Sequence, residues 1–146
     1  SGQLGQYISD FPNPKLLGHK GVLSTPHLGA STEEAEENCA MMVADQMIDF
    51  LENGNIRNSV NFPALSMERT AGYRIALANK NVPRILGSVL SILADRNINV
   101  IDMLNRSRDN IAYNIIDVES EPTDELVQEI EAIDGVINVH RFAEKV

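Results

Sequence analysis

The stretch YRIALANKNVPRILGSVLSILADRNINV, residues 73–100, decides the fold. Its first part alternates. Tyr73, Ile75 and Leu77 fall on one side and Arg74, Ala76 and Ala78 on the other, the period-two pattern of a strand. Asn79-Lys80-Asn81-Val82-Pro83 then reads as a loop, because proline has no backbone N–H to give a ladder. Beyond it Ile85, Leu86, Val89, Leu90 and Leu93 recur at helical spacing, with Gly87 placed to let the helix approach a sheet, and Asn97 ends the run.

Working outward to the C-terminus, residues 100–106 form a second strand, Asp109-Asn110 a turn, and residues 111–119 a third strand that pairs with the second as a hairpin. Pro122 opens a second helix lined by Leu126, Val127, Ile130 and Ile133, Gly135 closes it, and residues 136–142 are a fourth strand. The order β-α-β-β-α-β is the ferredoxin-like arrangement, an α+β class. Right-handed crossovers place both helices on one face of a four-stranded antiparallel sheet.

Outward to the N-terminus the pattern is looser. Residues 6–10 and 22–25 read as short strands separated by Pro12 and Pro14; two such strands cannot enclose a core. A helix is predicted over 31–53. Ser31-Thr32-Glu33-Glu34 has capping-box spacing, acids fill the first turn, and Asn53-Gly54 is the stop. Ala35, Cys39, Met42, Val43, Met47, Phe50 and Leu51 form its apolar stripe, read as a packing face with Cys39 an inert buried thiol. Residues 54–70 show little periodicity, with a short strand at 59–62. The predicted organisation is residues 1–62, a linker at 63–70, and a compact domain at 71–146.

Composition narrows the partners. The 146 residues carry a net charge of -9, which disfavours nucleic acid and anionic membranes. An RNA-binding module shares the βαββαβ order but needs a basic sheet with stacking aromatics, and aromatics are only 5% here. Acids concentrate between 31 and 55 and bases between 57 and 108, so a local site for a phosphate-bearing ligand is not excluded, although ordinary solvated faces are the better explanation of such runs. Cys39 is the single cysteine, which fits a reducing, cytoplasmic setting. The sequence has no long apolar run and no signal-peptide pattern, and it opens at Ser1 in the middle of structured sequence; a fragment or processed chain is expected. His19 and His140 belong to no motif, and no ligand cluster has metal spacing, so no metal is expected.

Chemistry points to Thr25-Pro26-His27-Leu28-Gly29-Ala30-Ser31-Thr32. His27 follows a strand end and precedes a helix start, the rim where ligands sit in α/β sheets. Imidazole exchanges protons near neutral pH, and Gly29 permits close approach of backbone to ligand. Spacing alone favours a structural or merely exposed His over a catalytic one.

Residues 26–38, Pro-His-Leu-Gly-Ala-Ser-Thr-Glu-Glu-Ala-Glu-Glu-Asn, closely resemble the final motif of the D-2-hydroxyacid dehydrogenase family. The Ala30-Ser31-Thr32 form and residues 50–63 are similar to its D-3-phosphoglycerate dehydrogenase branch, and residues 71–146 resemble an ACT regulatory domain. The resemblance implies a C-terminal fragment: residues 1–62 as the tail of a Rossmann-type α/β catalytic region, then the ACT domain. It implies a parent enzyme that oxidises 3-phosphoglycerate with NAD at the start of serine synthesis. His27 would be the general base and Gly29 and Ala30 would lie at the cofactor. The family's orienting glutamate falls at about Pro14. The Gly-rich dinucleotide loop and the substrate-clamping arginine are not in this sequence, so the chain alone is expected to be inactive.

For the second domain the resemblance implies edge-to-edge pairing with an amino-acid effector at that junction, held by Asn79, Asn81 and Asn99, whose amides offer both donors and acceptors to a zwitterion. Without the resemblance, the residues themselves favour a helix cap at Asn81 and a turn at Asn99. Arg84 stands where serine-binding members have Gly, and Asn79 replaces a frequent His, which argues against serine. A homodimer is expected, through ACT edge pairing, through helix 31–53, or both. The alternative is a free-standing ACT-like amino-acid sensor with a helical arm, which explains residues 71–146 equally but not residues 26–38.

Overall fold

A computed structural model describes residues 5–69 and 72–144. The elements are β1 (Tyr7–Ser9), β2 (Val22–Ser24), α1 (Glu33–Asn53), β3 (Tyr73–Lys80), α2 (Ile85–Asp95), β4 (Val100–Arg108), β5 (Ile111–Val118), α3 (Asp124–Glu131) and β6 (Val136–Phe142). Two compact units divide inside α1, residues 1–44 and 45–146.

In the first unit β1 and β2 pair in parallel, Tyr7 against Val22 and Ser9 against Ser24. Between them Asn13 caps a single 3₁₀ turn at Pro14–Leu16, its side chain accepting from the Lys15 N–H at 3.0 Å. The N-cap of α1 is Thr32, whose hydroxyl accepts from the Ala35 N–H at 3.1 Å. None of the described residues of 5–44 is buried. Cys39 is exposed, contrary to its predicted place on a buried stripe. Met42, Val43, Met47 and Leu51 are exposed too.

The second unit carries the predicted sheet in the order β4-β5-β3-β6, all antiparallel. Ile75, Leu77, Ile116 and Val118 point to the helices, where Val89 and Leu93 of α2 and Leu126 and Ile130 of α3 meet them, every one at most 1% exposed. Burying each such side chain contributes about 1.5–3 kcal/mol. Three local readings are corrected. Gly87 faces open space rather than a close neighbour. The start of α3 is set by Thr123, which accepts from the Leu126 N–H at 3.2 Å, one residue after Pro122. Residues 59–62 form no strand; Ile56 and Leu65 make an isolated antiparallel bridge instead.

The region expected as a linker is core. Leu65 is 2% exposed and Met67 8%. With Ile56 they cover the second face of the sheet, packing on Ala76, Ala78, Tyr113, Ile115 and Phe142. Residues 53–68 look aperiodic because they are held by side chains rather than by a repeating ladder. Arg74, fully buried, commits all five guanidinium N–H groups. It makes a two-pronged pair with Asp117 at 2.6 and 2.8 Å and donates to the carbonyls of Asn53, Met67 and Glu68, each at 2.9 Å. The Tyr113 hydroxyl donates to the Gly54 carbonyl at 2.8 Å. Gly54 has φ +72° and a Cβ there would lie 3.0 Å from the Phe142 ring, so both conformation and space select glycine.

Candidate functional site

His27 sits in the loop between β2 and α1. Its Nδ1 lies 3.3 Å from a carboxylate oxygen of Asp10, and its ring meets Phe11 edge-on at 5.5 Å. Parallel pairing of β1 and β2 brings the ends of both strands, and so Asp10 and His27, to one edge. Sequence reasoning sought a carboxylate near position 14 and missed Asp10. The available signal was spatial: parallel strands place residues that follow each strand side by side. Pro14 itself opens the 3₁₀ turn. With Nδ1 facing Asp10, Nε2 is the nitrogen left for a substrate proton. Both side chains are more than half exposed, so the pair contributes orientation rather than stability.

Gly29 and Ala30 lie in the same loop, both exposed, and a Cβ on Gly29 would meet nothing within 4 Å. No described residue of 5–44 closes around them, so these residues alone do not fit a dinucleotide. Among the described residues no group of three or more metal-ligating side chains occurs. No described helix is long and apolar enough to cross a membrane.

The three asparagines of the second candidate site do not meet within one chain. Asn79 is 4% exposed; its amide donates to the Lys80 carbonyl at 2.7 Å and its oxygen accepts from Asn114 at 2.8 Å. Asn105 donates to Asn114 in turn, completing an amide ladder across β3, β5 and β4. Asn105 and Asn114 were missed, although an amide inside the otherwise apolar Ile111–Val118 was the sign. Asn81 is exposed nearby, its amide donating to the Asp109 carbonyl at 3.1 Å rather than capping α2. Asn99 stands at the opposite end of the sheet, donating to Glu119 at 2.9 Å. β5 pairs Val118 with Tyr73 and Ile111 with Lys80, so the two ends lie about 20–25 Å apart along the strands.

Arg84 begins α2 with φ +79° and no side-chain cap. The chain keeps at this point the left-handed conformation that glycine adopts freely, and a non-glycine residue there is strained by about 1–2 kcal/mol.

Residues 73–135 match the ACT domain family. The chain is 33% identical over 129 residues to D-3-phosphoglycerate dehydrogenase of Escherichia coli K12, covering 87% of this chain and 31% of that protein. The Haemophilus influenzae D-3-phosphoglycerate dehydrogenase is 34% identical over 129 residues, covering 88% and 31%. The chain therefore spans about a third of the length of the curated relatives it matches. Among solved structures, the ACT domain of the Chlorobium tepidum GTP pyrophosphokinase aligns with TM-score 0.43 and 16% identity over 50% of this chain and all of that one. The chain carries an ACT domain at residues 73–135 and is, over most of its length, a homologue of the corresponding third of the D-3-phosphoglycerate dehydrogenases.

Proposed function

We propose that the chain is the regulatory C-terminal part of an NAD-dependent D-3-phosphoglycerate dehydrogenase of cytoplasmic serine synthesis. The observation that carries this reading is that His27, within the motif that resembles that branch, has the Asp10 carboxylate against its Nδ1. In the parent enzyme His27 takes the C2 hydroxyl proton at Nε2 while Asp10 holds Nδ1 in the protonated tautomer. Gly29 and Ala30 contribute one wall of an NAD cleft whose remaining walls come from elsewhere in the parent. This chain alone has no turnover; a measurable rate with NAD and 3-phosphoglycerate on the pure chain would overturn that.

The regulatory half works as a homodimer. β4 is an edge strand, and an edge invites pairing with a second copy. Antiparallel pairing of two β4 edges about a two-fold axis reverses the ends, which brings Asn99 of one copy toward the Asn79–Asn81 end of the other. An amino-acid effector sits at that junction; Arg84 brings bulk and charge there, which disfavours serine. The exposed stripe of α1 is a second surface for association. Calorimetry with L-serine and then other amino acids, alongside light scattering, tests this. A monomer at micromolar concentration, or clear serine binding by the unaltered chain, would count against it.

A further inference from the structure

The second face of the sheet holds a cavity of about 600 Å³, within the range of small-molecule sites. Its floor is low because Ala76 and Ala78 are adjacent same-face residues on the central strand β3. Register places His140 and Asn138 of β6 beside them on one side, and Tyr113 of β5 beside Ala78 on the other. Apolar side chains from the end of α1 and the loop after it, Phe50 and Phe62 among them, complete the walls.

The polar groups there are not equally free. The Tyr113 hydroxyl is committed to the Gly54 carbonyl. Arg57 is paired with Asp49 at 2.6 Å, but the Asp49 side chain is only 14% exposed, is tied by the Asn53 and Asn55 amides at 3.0 and 2.8 Å, and does not line the cavity. It braces a guanidinium that is itself 57% exposed. Among the described residues the Asn138 amide and the His140 ring nitrogens have no hydrogen-bond partner. In a chain with 21 Asp and Glu residues, no carboxylate among the described residues lines this cavity, while a guanidinium, an imidazole and the amides of Gln46 and Asn138 do.

We propose that this cavity is a binding site for a small amphiphilic monocarboxylate, its apolar body over Ala76 and Ala78 and its carboxylate accepting from Arg57, Asn138 and His140. The site lies on the sheet face away from α2 and α3 and is independent of the effector junction.

Alanine-methyl and ¹H–¹⁵N NMR of the full chain, titrated with 3-phenylpropionate and with neutral 3-phenylpropionamide, tests it. Saturable shifts are expected at Ala76, Ala78 and Tyr113, with the amide about ten-fold weaker for loss of a charge-assisted hydrogen bond. Arg57→Gln, at an exposed position, should bring the acid down to the affinity of the amide. Ala78→Leu should fill the floor and abolish both; if that variant fails to fold, Arg57→Gln decides alone. Equal binding of acid and amide, no saturable shift at these residues at millimolar ligand, or shifts gathered instead at Asn81 and β4 would overturn the proposal.

Discussion

Residues 5–44 and residues 45–144 respond differently to the same rules of local structure. In both, caps and turns form where the sequence calls for them: Thr32 starts α1 as Thr123 starts α3. In the first region Phe11, Leu23, Leu28 and Met41 are all more than half exposed and none of the described residues is buried. In the second, apolar residues from both sides of one sheet are extinguished from solvent. Local signals set secondary structure in either case, but only the second region supplies its own opposing surfaces. Stability is therefore expected to reside in residues 45–144.

The sharpest way to test that division is Arg74→Met. Asp117 loses both bonds from the guanidinium and three carbonyls lose a donor, so unfolding in urea should show a loss of about 3–5 kcal/mol. A change below about 1 kcal/mol would mean that residues 53–68 are not fastened to the sheet. Leu65→Ala should cost about 2–4 kcal/mol by cavity formation, whereas Met41→Ala should stay within about 0.5 kcal/mol. Equal effects at the two positions would erase the contrast.

Tyr113 gives a pH test. Burial pushes its phenol up to about 12, against a smaller opposing pull from Arg74. Its folded value exceeds the unfolded value near 10, so the unfolded chain releases the proton first and stability falls as pH rises between about 10 and 12. That part of the fall, up to about 2 kcal/mol, should be missing in Tyr113→Phe. The variant should also lose about 1 kcal/mol at neutral pH with the bond to Gly54. The smallest effects concern helix starts. Arg84→Gly should raise stability by up to about 1 kcal/mol as left-handed strain is relieved, partly offset by a freer unfolded chain. Thr32→Ala should speed amide exchange in the first turn of α1 by about five-fold, the equivalent of about 1 kcal/mol of cap, without moving the midpoint of global unfolding.

The sheet was readable because alternation in Tyr73–Lys80 and Ile111–Val118 reports two faces directly, and helical spacing at Val89, Leu93, Leu126 and Ile130 reports the side that meets them. Residues 54–68 were not readable. Their order comes from Arg74, Tyr113 and Asn55, whose partners are backbone groups 7 to 59 residues away, and backbone groups leave no mark in a sequence. The candidate site residues divide the same way. His27 announced itself through its motif, while Asp10 was recognisable only once parallel pairing put two strand ends together. Asn79, Asn81 and Asn99 were chosen for a junction between paired domains, and within one chain strand direction puts Asn99 at the opposite end of the sheet from the other two.

The sequence by itself determined the order of elements, the face of each strand that turns inward and the identity of the His-bearing motif, since these depend on periodicity and on neighbours a few residues away. Tertiary structure alone decided that residues 53–68 roof the sheet, that Asp10 lies against His27, and that a cavity remains above Ala76 and Ala78. Each of those depends on the distance between groups well separated in the chain, which is fixed only when the sheet registers and the core closes.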